Sequence, residues 1–230
     1  MDTTKIDFEN RKIEIQIYFL FLEKINDTDC TRLKFKKNNE TIEEKIPEKL
    51  REILVANAFL ILYNLIESTV RNSIVEIYTK INDDDVSYEN LSSNLQKIWI
   101  NKKVNNLKEG NYNNETLSKS IENIAQNILT KETIELSKED IDISGNIDAQ
   151  KIRDLAQNIG FDTSSNGRNL VEIKNKRNRL AHGEQTFYDV GKDFTFNELN
   201  RYKQETFDYL LDVIEKIEIF IVAQKYKVTP

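Results

Sequence analysis

Apolar side chains recur every three or four positions along most of the chain, broken at only a few polar points, which is the period of amphipathic helices. Residues 13–24 are apolar and aromatic and predict a first helix that stops before Asn26-Asp27. Over 32–46 the pattern weakens to an alternation at Leu33 and Phe35 around Asn38-Asn39, which fits a small hairpin or an ordered loop. Pro47 suits the first turn of a long helix running to about Lys80. The interior of that helix is apolar nearly all round (Ile53, Leu54, Phe59, Ile61, Leu62, Leu65, Ile66), so it belongs at the centre of the core. Asp83-Asp84-Asp85 closes it.

Two further amphipathic helices are predicted over 88–107 and 115–129, parted by the polar stretch 110–114. Residues 141–146 read as a loop, with Ser144-Gly145-Asn146 as turn chemistry. A short helix over 148–159 is stopped by Gly160, and 163–167 is another polar break. Residues 168–182 form a helix with Gly183 just past its end, where a C-cap glycine belongs. The last helix opens on Thr195-Phe196-Asn197-Glu198, a capping box, and Leu199, Tyr202, Leu210, Val213, Ile217 and Phe220 then repeat at helical spacing. No internal repeat or low-complexity linker interrupts the chain. Residues 1–230 therefore read as one all-α domain, with an N-terminal helix and hairpin or loop over 1–46 and a helical core over 47–226.

Composition narrows the class. Only 6 Gly and 2 Pro argue against an all-β sandwich or barrel, and 39% hydrophobic residues exclude intrinsic disorder. Cys30 is alone, so no intramolecular disulfide and no cysteine metal cluster is expected. The opening residues are polar and acidic (Asp2, Asp7, Glu9) and lack a signal-peptide core. The longest mostly apolar stretch, 53–66, is interrupted by Asn57 and Asn64 and is too short to cross a bilayer. A cytoplasmic protein without a membrane partner follows as the expectation.

The candidate chemistry gathers around His182, the only histidine. A lone histidine excludes histidine-rich zinc sites and the HExxH pattern, and the chain has no GxxxxGK[ST], GxGxxG or GxSxG motif, so neither a metal nor a cofactor is called for. From Arg168 to His182 there are five cations (Arg168, Lys174, Lys176, Arg177, Arg179) against Glu172, a net +4 in a chain of net −6, which leaves −10 for the rest. A positive patch on an acidic protein favours a phosphate-bearing partner. At 100° per residue, Leu170, Ile173, Arg177 and Leu180 form an apolar stripe with an arginine set into it, and Lys174, Asn178 and His182 line the adjoining strip. An arginine at a buried margin needs an anion or a partner. One reading is a structural Arg177–Glu67 ion pair, with His182 as a helix cap near the negative dipole end. On the long central helix, Asn57, Asn64, Ser68 and Arg71, with Glu67 at the edge, make a narrow polar strip. It suits a polar cleft, a subunit interface, or ordinary hydrogen bonding between helices.

Arg177-Asn178-Arg179-Leu180-Ala181-His182 resembles the Arg-polar-x-x-x-His motif (Rx4–6H) of the HEPN superfamily, an all-α nucleotide-binding and ribonuclease group. The wider strings KNKRNRLAHGEQTF, NAFLILYNLIESTVRNSI and SGNIDAQKIRDLA are similar to a bacterial HEPN family of defence and toxin–antitoxin settings. The resemblance implies metal-independent endoribonuclease activity, with Arg177 and His182 catalytic and Asn178 supporting them. Glu67 and Arg71 are supporting candidates, and Lys174, Lys176 and Arg179 are candidate RNA contacts. It also implies a composite site between the protomers of a homodimer, and an antitoxin or defence-system partner protein. Some HEPN toxins continue the motif as His-x-Tyr; here that place is Glu184, which speaks against neutralisation by modifying a tyrosine. The competing expectations are a non-catalytic HEPN module that binds nucleotide, RNA or a neighbouring enzyme, and a helical scaffold without a nucleic-acid role. The net charge of −6 opposes tight non-specific RNA binding but not a selective or partner-delivered substrate.

Overall fold

The computed structural model describes residues 1–27, 29–109, 114–137 and 145–228. The chain winds round one long helix. In order, α1 spans Asp2–Asn26, β1 Arg32–Lys37, β2 Glu40–Lys45, α2 Glu48–Asp83, α3 Ser93–Glu109, α4 Asn114–Leu129, α5 Ala149–Ile159, α6 Arg168–Ala181, α7 Phe187–Gly191 and α8 Phe196–Val222. Along α2, Val55, Phe59, Leu62, Ile66, Val70, Ile74, Ile77 and Ile81 are buried in steps of three and four residues, as a helical stripe must be. Helices α1, α6, α7 and α8 pack round α2, while α3 packs on α4 and α5. One contiguous core runs from Phe8 to Tyr226. Helix α2 is long and apolar enough to cross a membrane by length and composition, but its apolar side chains face the neighbouring helices.

Several elements depart from the sequence pattern, each for a visible reason. Helix α1 begins eleven residues earlier than the pattern at 13–24 suggests, because Glu76 of α2 accepts from Thr4 N and Thr4 Oγ1 at 2.7 and 2.9 Å. A carboxylate at a helix N-terminus satisfies orphan N–H groups, and here it comes from 72 residues away. Phe8, Ile15, Phe19, Leu22 and Ile25 form the buried face of α1; Ile6, Ile13, Ile17, Leu20 and Phe21 lie exposed on the opposite one. The hairpin reading holds over the loop one: β1 and β2 pair antiparallel with Lys37 opposite Glu40. Asn38 and Asn39 turn the chain at φ 51° and 65°, as a type I′ turn requires. Pro47 sits at the N-cap of α2 rather than in its first turn.

The helix predicted over 88–107 is divided. Tyr88–Asn90 is a 3-10 turn, and α3 starts only at Ser93. The C-terminal tail takes the backbone between them: Ser92 N–H donates to Tyr226 O at 2.8 Å and Val228 N–H to Asn90 O at 2.9 Å. The stretches 110–113 and 141–144 of the predicted breaks lie outside the described residues. Helix α7 has no periodic signal of its own. It is set by its Thr186 cap and by a close approach to α2, where a Cβ on Gly191 would stand 1.9 Å from Glu52 O.

Candidate functional site

Helix α6 carries the motif, and its ends are set by local sequence. Gly167 precedes it with φ 94°. At its C-terminus Gly183, at φ 71°, lets Glu184 N–H reach Arg179 O at 2.9 Å and Gly183 N–H reach Leu180 O at 3.3 Å. These are the paired bonds of a Schellman motif, and they leave His182 as the C-cap residue. The buried line of α6 is Leu170, Ile173, Lys176 and Leu180. Lys176 thus occupies the inward position predicted for Arg177, its stem against the core and its ammonium 5.1 Å from the Phe194 ring centroid, with Glu172 at 3.8 Å. Arg177 lies one position round, at the margin.

There the guanidinium of Arg177 is held on three sides. Its Cζ lies 3.9 Å from the ring centroid of Tyr63 on α2. Nη2 donates to Glu67 Oε2 at 3.3 Å, and Nη1 donates to Asn178 Oδ1 at 2.8 Å. The second oxygen of Glu67 meets Arg71 Nη2 at 3.2 Å, so one carboxylate lies between two guanidinium groups and the cluster keeps a positive excess. The predicted Arg177–Glu67 ion pair therefore exists, alongside the stacking and the amide contact. The Arg177 side chain is 21% exposed. A planar cation with five donors, two of them engaged here, can still meet an anionic oxygen.

Asn178 in turn donates from Nδ2 to Asn146 Oδ1 at 2.7 Å. Lys174, on the same side, donates to Asp148 Oδ2 at 2.6 Å. Burial would push the Asp148 carboxyl up, but the Lys174 ammonium and the backbone N–H of Lys151 hold it below the usual carboxylate range. Burial pushes the Tyr63 phenol up, against the Ile147 N–H that its oxygen accepts at 3.0 Å. Tyr63 is thus a neutral platform beneath Arg177.

The structure brings Arg177, Asn178, Glu67 and Arg71 into one network, with Lys174 beside it. His182 stands exposed at the end of α6, one turn beyond Asn178, whose carbonyl accepts its N–H at 2.9 Å. Arg179 is exposed and Lys176 is buried. On α2, Asn57 and Ser68 bond within their own helix, to Ile53 O and Leu65 O, and Asn64 is exposed, while Glu67 at the edge of the strip bonds across to Arg177 of α6, so the strip hydrogen-bonds between helices at Glu67. Sequence reasoning missed Tyr63, Asn146 and Asp148 as site residues. Tyr63 stands one helical turn before Glu67 on the same face, which was a usable signal; nothing in the pattern marks Asn146. Among the described residues, no group of three His, Cys, Asp or Glu side chains could hold a metal ion.

A sequence profile of the HEPN_MAE_28990-like HEPN family matches residues 2–226. Comparison with curated proteins and with solved structures gives no significant match. Since the match covers nearly the whole chain, and since the Arg–polar–His motif lies on a core helix of an all-α fold, the chain belongs to the HEPN superfamily, in its MAE_28990-like family.

Proposed function

We propose that this protein is a metal-independent endoribonuclease that cuts RNA by 2′-hydroxyl transesterification at a composite site of a homodimer, in a toxin or anti-phage role. Family membership supports a nuclease, RNA-related or nucleotide-binding role, and HEPN domains commonly act as dimers on RNA. The observation that carries the reading is the held, margin-placed guanidinium of Arg177 with an exposed histidine one turn further along the same helix. In the reaction the 2′-oxygen attacks phosphorus and the bond to the 5′-oxygen breaks. The 2′ proton passes to a base and the leaving oxygen takes one from an acid, giving a 2′,3′-cyclic phosphate and a 5′-hydroxyl. Two copies of His182 across a twofold axis supply base and acid, and Arg177 stabilises the charge that grows on the phosphate oxygens. Asn178, Glu67 and Tyr63 orient Arg177. Arg179 and Arg71 contribute positive potential for RNA; Lys174 does so with its charge shared by Asp148, and Lys176 serves packing.

The test incubates wild type and His182→Ala with cellular RNA in EDTA and maps the product ends. Cleavage by wild type that leaves cyclic phosphates, reduced at least about a hundredfold in the variant, is the expected outcome; cleavage that requires a divalent metal ion overturns the mechanism. A second reading has its own observation. Because Glu67 already pairs with Arg177 within the chain, the motif also suits a non-catalytic module that binds nucleotide, RNA or a partner enzyme. Wild-type binding to RNA without any cleavage would favour it.

A further inference from the structure

Four consecutive residues, Gly145, Asn146, Ile147 and Asp148, each meet a different group of the site. The backbone bends at Gly145 with φ 42°, and a Cβ there would lie 4.0 Å from Arg177 Nη2, so the chain passes directly beside the guanidinium. Asn146 accepts from Asn178 Nδ2 at 2.7 Å. Ile147 is fully buried and its N–H donates to the hydroxyl of Tyr63, the ring on which Arg177 rests. Asp148 accepts from Lys174 with one oxygen at 2.6 Å and from Lys151 N–H with the other at 2.9 Å, which caps α5. A buried apolar anchor thus stands between two polar hooks, and the segment is tied to the start of a helix.

We propose that residues 145–148 form a positioning strap for the reactive guanidinium, with Asn146 as its decisive residue. An amide has one accepting and one donating end. With Asn178 Nδ2 committed to Asn146, Asn178 Oδ1 must face Arg177 Nη1, as it does at 2.8 Å. Without Asn146 the amide is held at its oxygen alone, by the guanidinium it is meant to orient, so the Asn178 side chain and the Arg177 plane can swing together. Asn146 therefore fixes Asn178, and Asn178 fixes the plane of Arg177. The functional half of this inference rests on the ribonuclease reading; the structural half does not.

Asn146 is exposed, so replacing it leaves the core intact. The experiment compares wild type, Asn146→Ala and Asn146→Asp in two ways. Cleavage of an RNA oligonucleotide is expected to lose about tenfold in kcat in Asn146→Ala with KM little changed, one hydrogen bond's worth of orientation. Asn146→Asp keeps an accepting oxygen for Asn178 and is expected to stay within about threefold of wild type. Independently, nitrogen NMR of the Arg177 guanidinium should show restricted rotation in wild type and Asn146→Asp, and averaging in Asn146→Ala. Unchanged Arg177 signals in Asn146→Ala, or an unchanged kcat in a protein that cleaves, would overturn the strap. If none of the three proteins cuts RNA while the Arg177 signals respond as expected, the strap stands and the ribonuclease reading falls.

Discussion

Arg177 carries the largest share of the proposed chemistry, and its surroundings show why the residue type matters. The Tyr63 face at 3.9 Å suits a flat, delocalised cation, and the contacts to Glu67 and Asn178 use two nitrogens of one plane. A lysine keeps the charge but cannot make both contacts, nor present a planar fork to two phosphate oxygens. Arg177→Lys is therefore expected to fold with little change in Tm, since Glu67 keeps a cationic neighbour in Arg71. It should lose about a hundredfold in kcat on an RNA oligonucleotide, the scale of a missing charge-stabilising donor. A variant that cleaves at the wild-type rate would show that Arg177 serves only as an ion-pair partner. His182 contrasts with it. Its ring is exposed, and its placement depends on the glycine-dependent turn that ends α6.

At the level of elements, the fold depends on tethers between segments far apart in sequence as well as on the helical stripes. Asp84, at the end of α2, accepts from Lys227 Nζ at 2.8 Å and Tyr226 Oη at 2.6 Å, and also pairs with Lys80. Those bonds, Lys227 first, hold its carboxyl well below the usual carboxylate range. A depressed folded-state pKa adds stability above the unfolded value, about 3.9, and that contribution is lost as pH falls below it. In urea titrations, wild type should exceed Asp84→Asn by about 2 kcal/mol at neutral pH, with the gap closing below about pH 4; parallel curves down to pH 2 would remove Asp84 from the ledger. The tether also explains what the pattern hides. The apolar periodicity of α2 and α8, the Asn38-Asn39 turn, Gly183 and the Thr195 capping box are local signals, and all were legible. The early start of α1, the break at Leu91-Ser92 and the contact between Asn146 and Asn178 depend on partners 32 or more residues away, which a periodic pattern does not encode. The exchange of Lys176 and Arg177 at the buried margin has a different cause. A long lysine stem buries well on an aromatic ring, so charge alone misplaces it.

For the molecule as a whole, the arithmetic of one histidine governs the proposed mechanism. Each chain has one His182, and transesterification needs both a proton acceptor and a proton donor. Within the chain, Tyr63, Glu67 and Asn178 hold Arg177 at the margin, while His182, Asn64 and Arg179 lie exposed on the same two helices or at their ends. A second copy facing this side would add a second imidazole and a second guanidinium, in the self-complementary manner of a twofold interface. Activity should then belong to the dimer of the 27.0 kDa chain, not to the chain alone. Cleavage per mole of chain is expected to rise with protein concentration and level off where light scattering reports about twice the chain mass. Mixing wild type with an excess of His182→Ala chains tests the same point from the other side: mixed dimers keep only one imidazole, so activity should fall below the share of wild-type chain in the mixture. A constant activity per chain through a concentration range where the protein is monomeric would place the whole reaction within one protomer, and the second proton-transfer group would then have to come from a carboxylate beside the site, with Glu67 the first to replace.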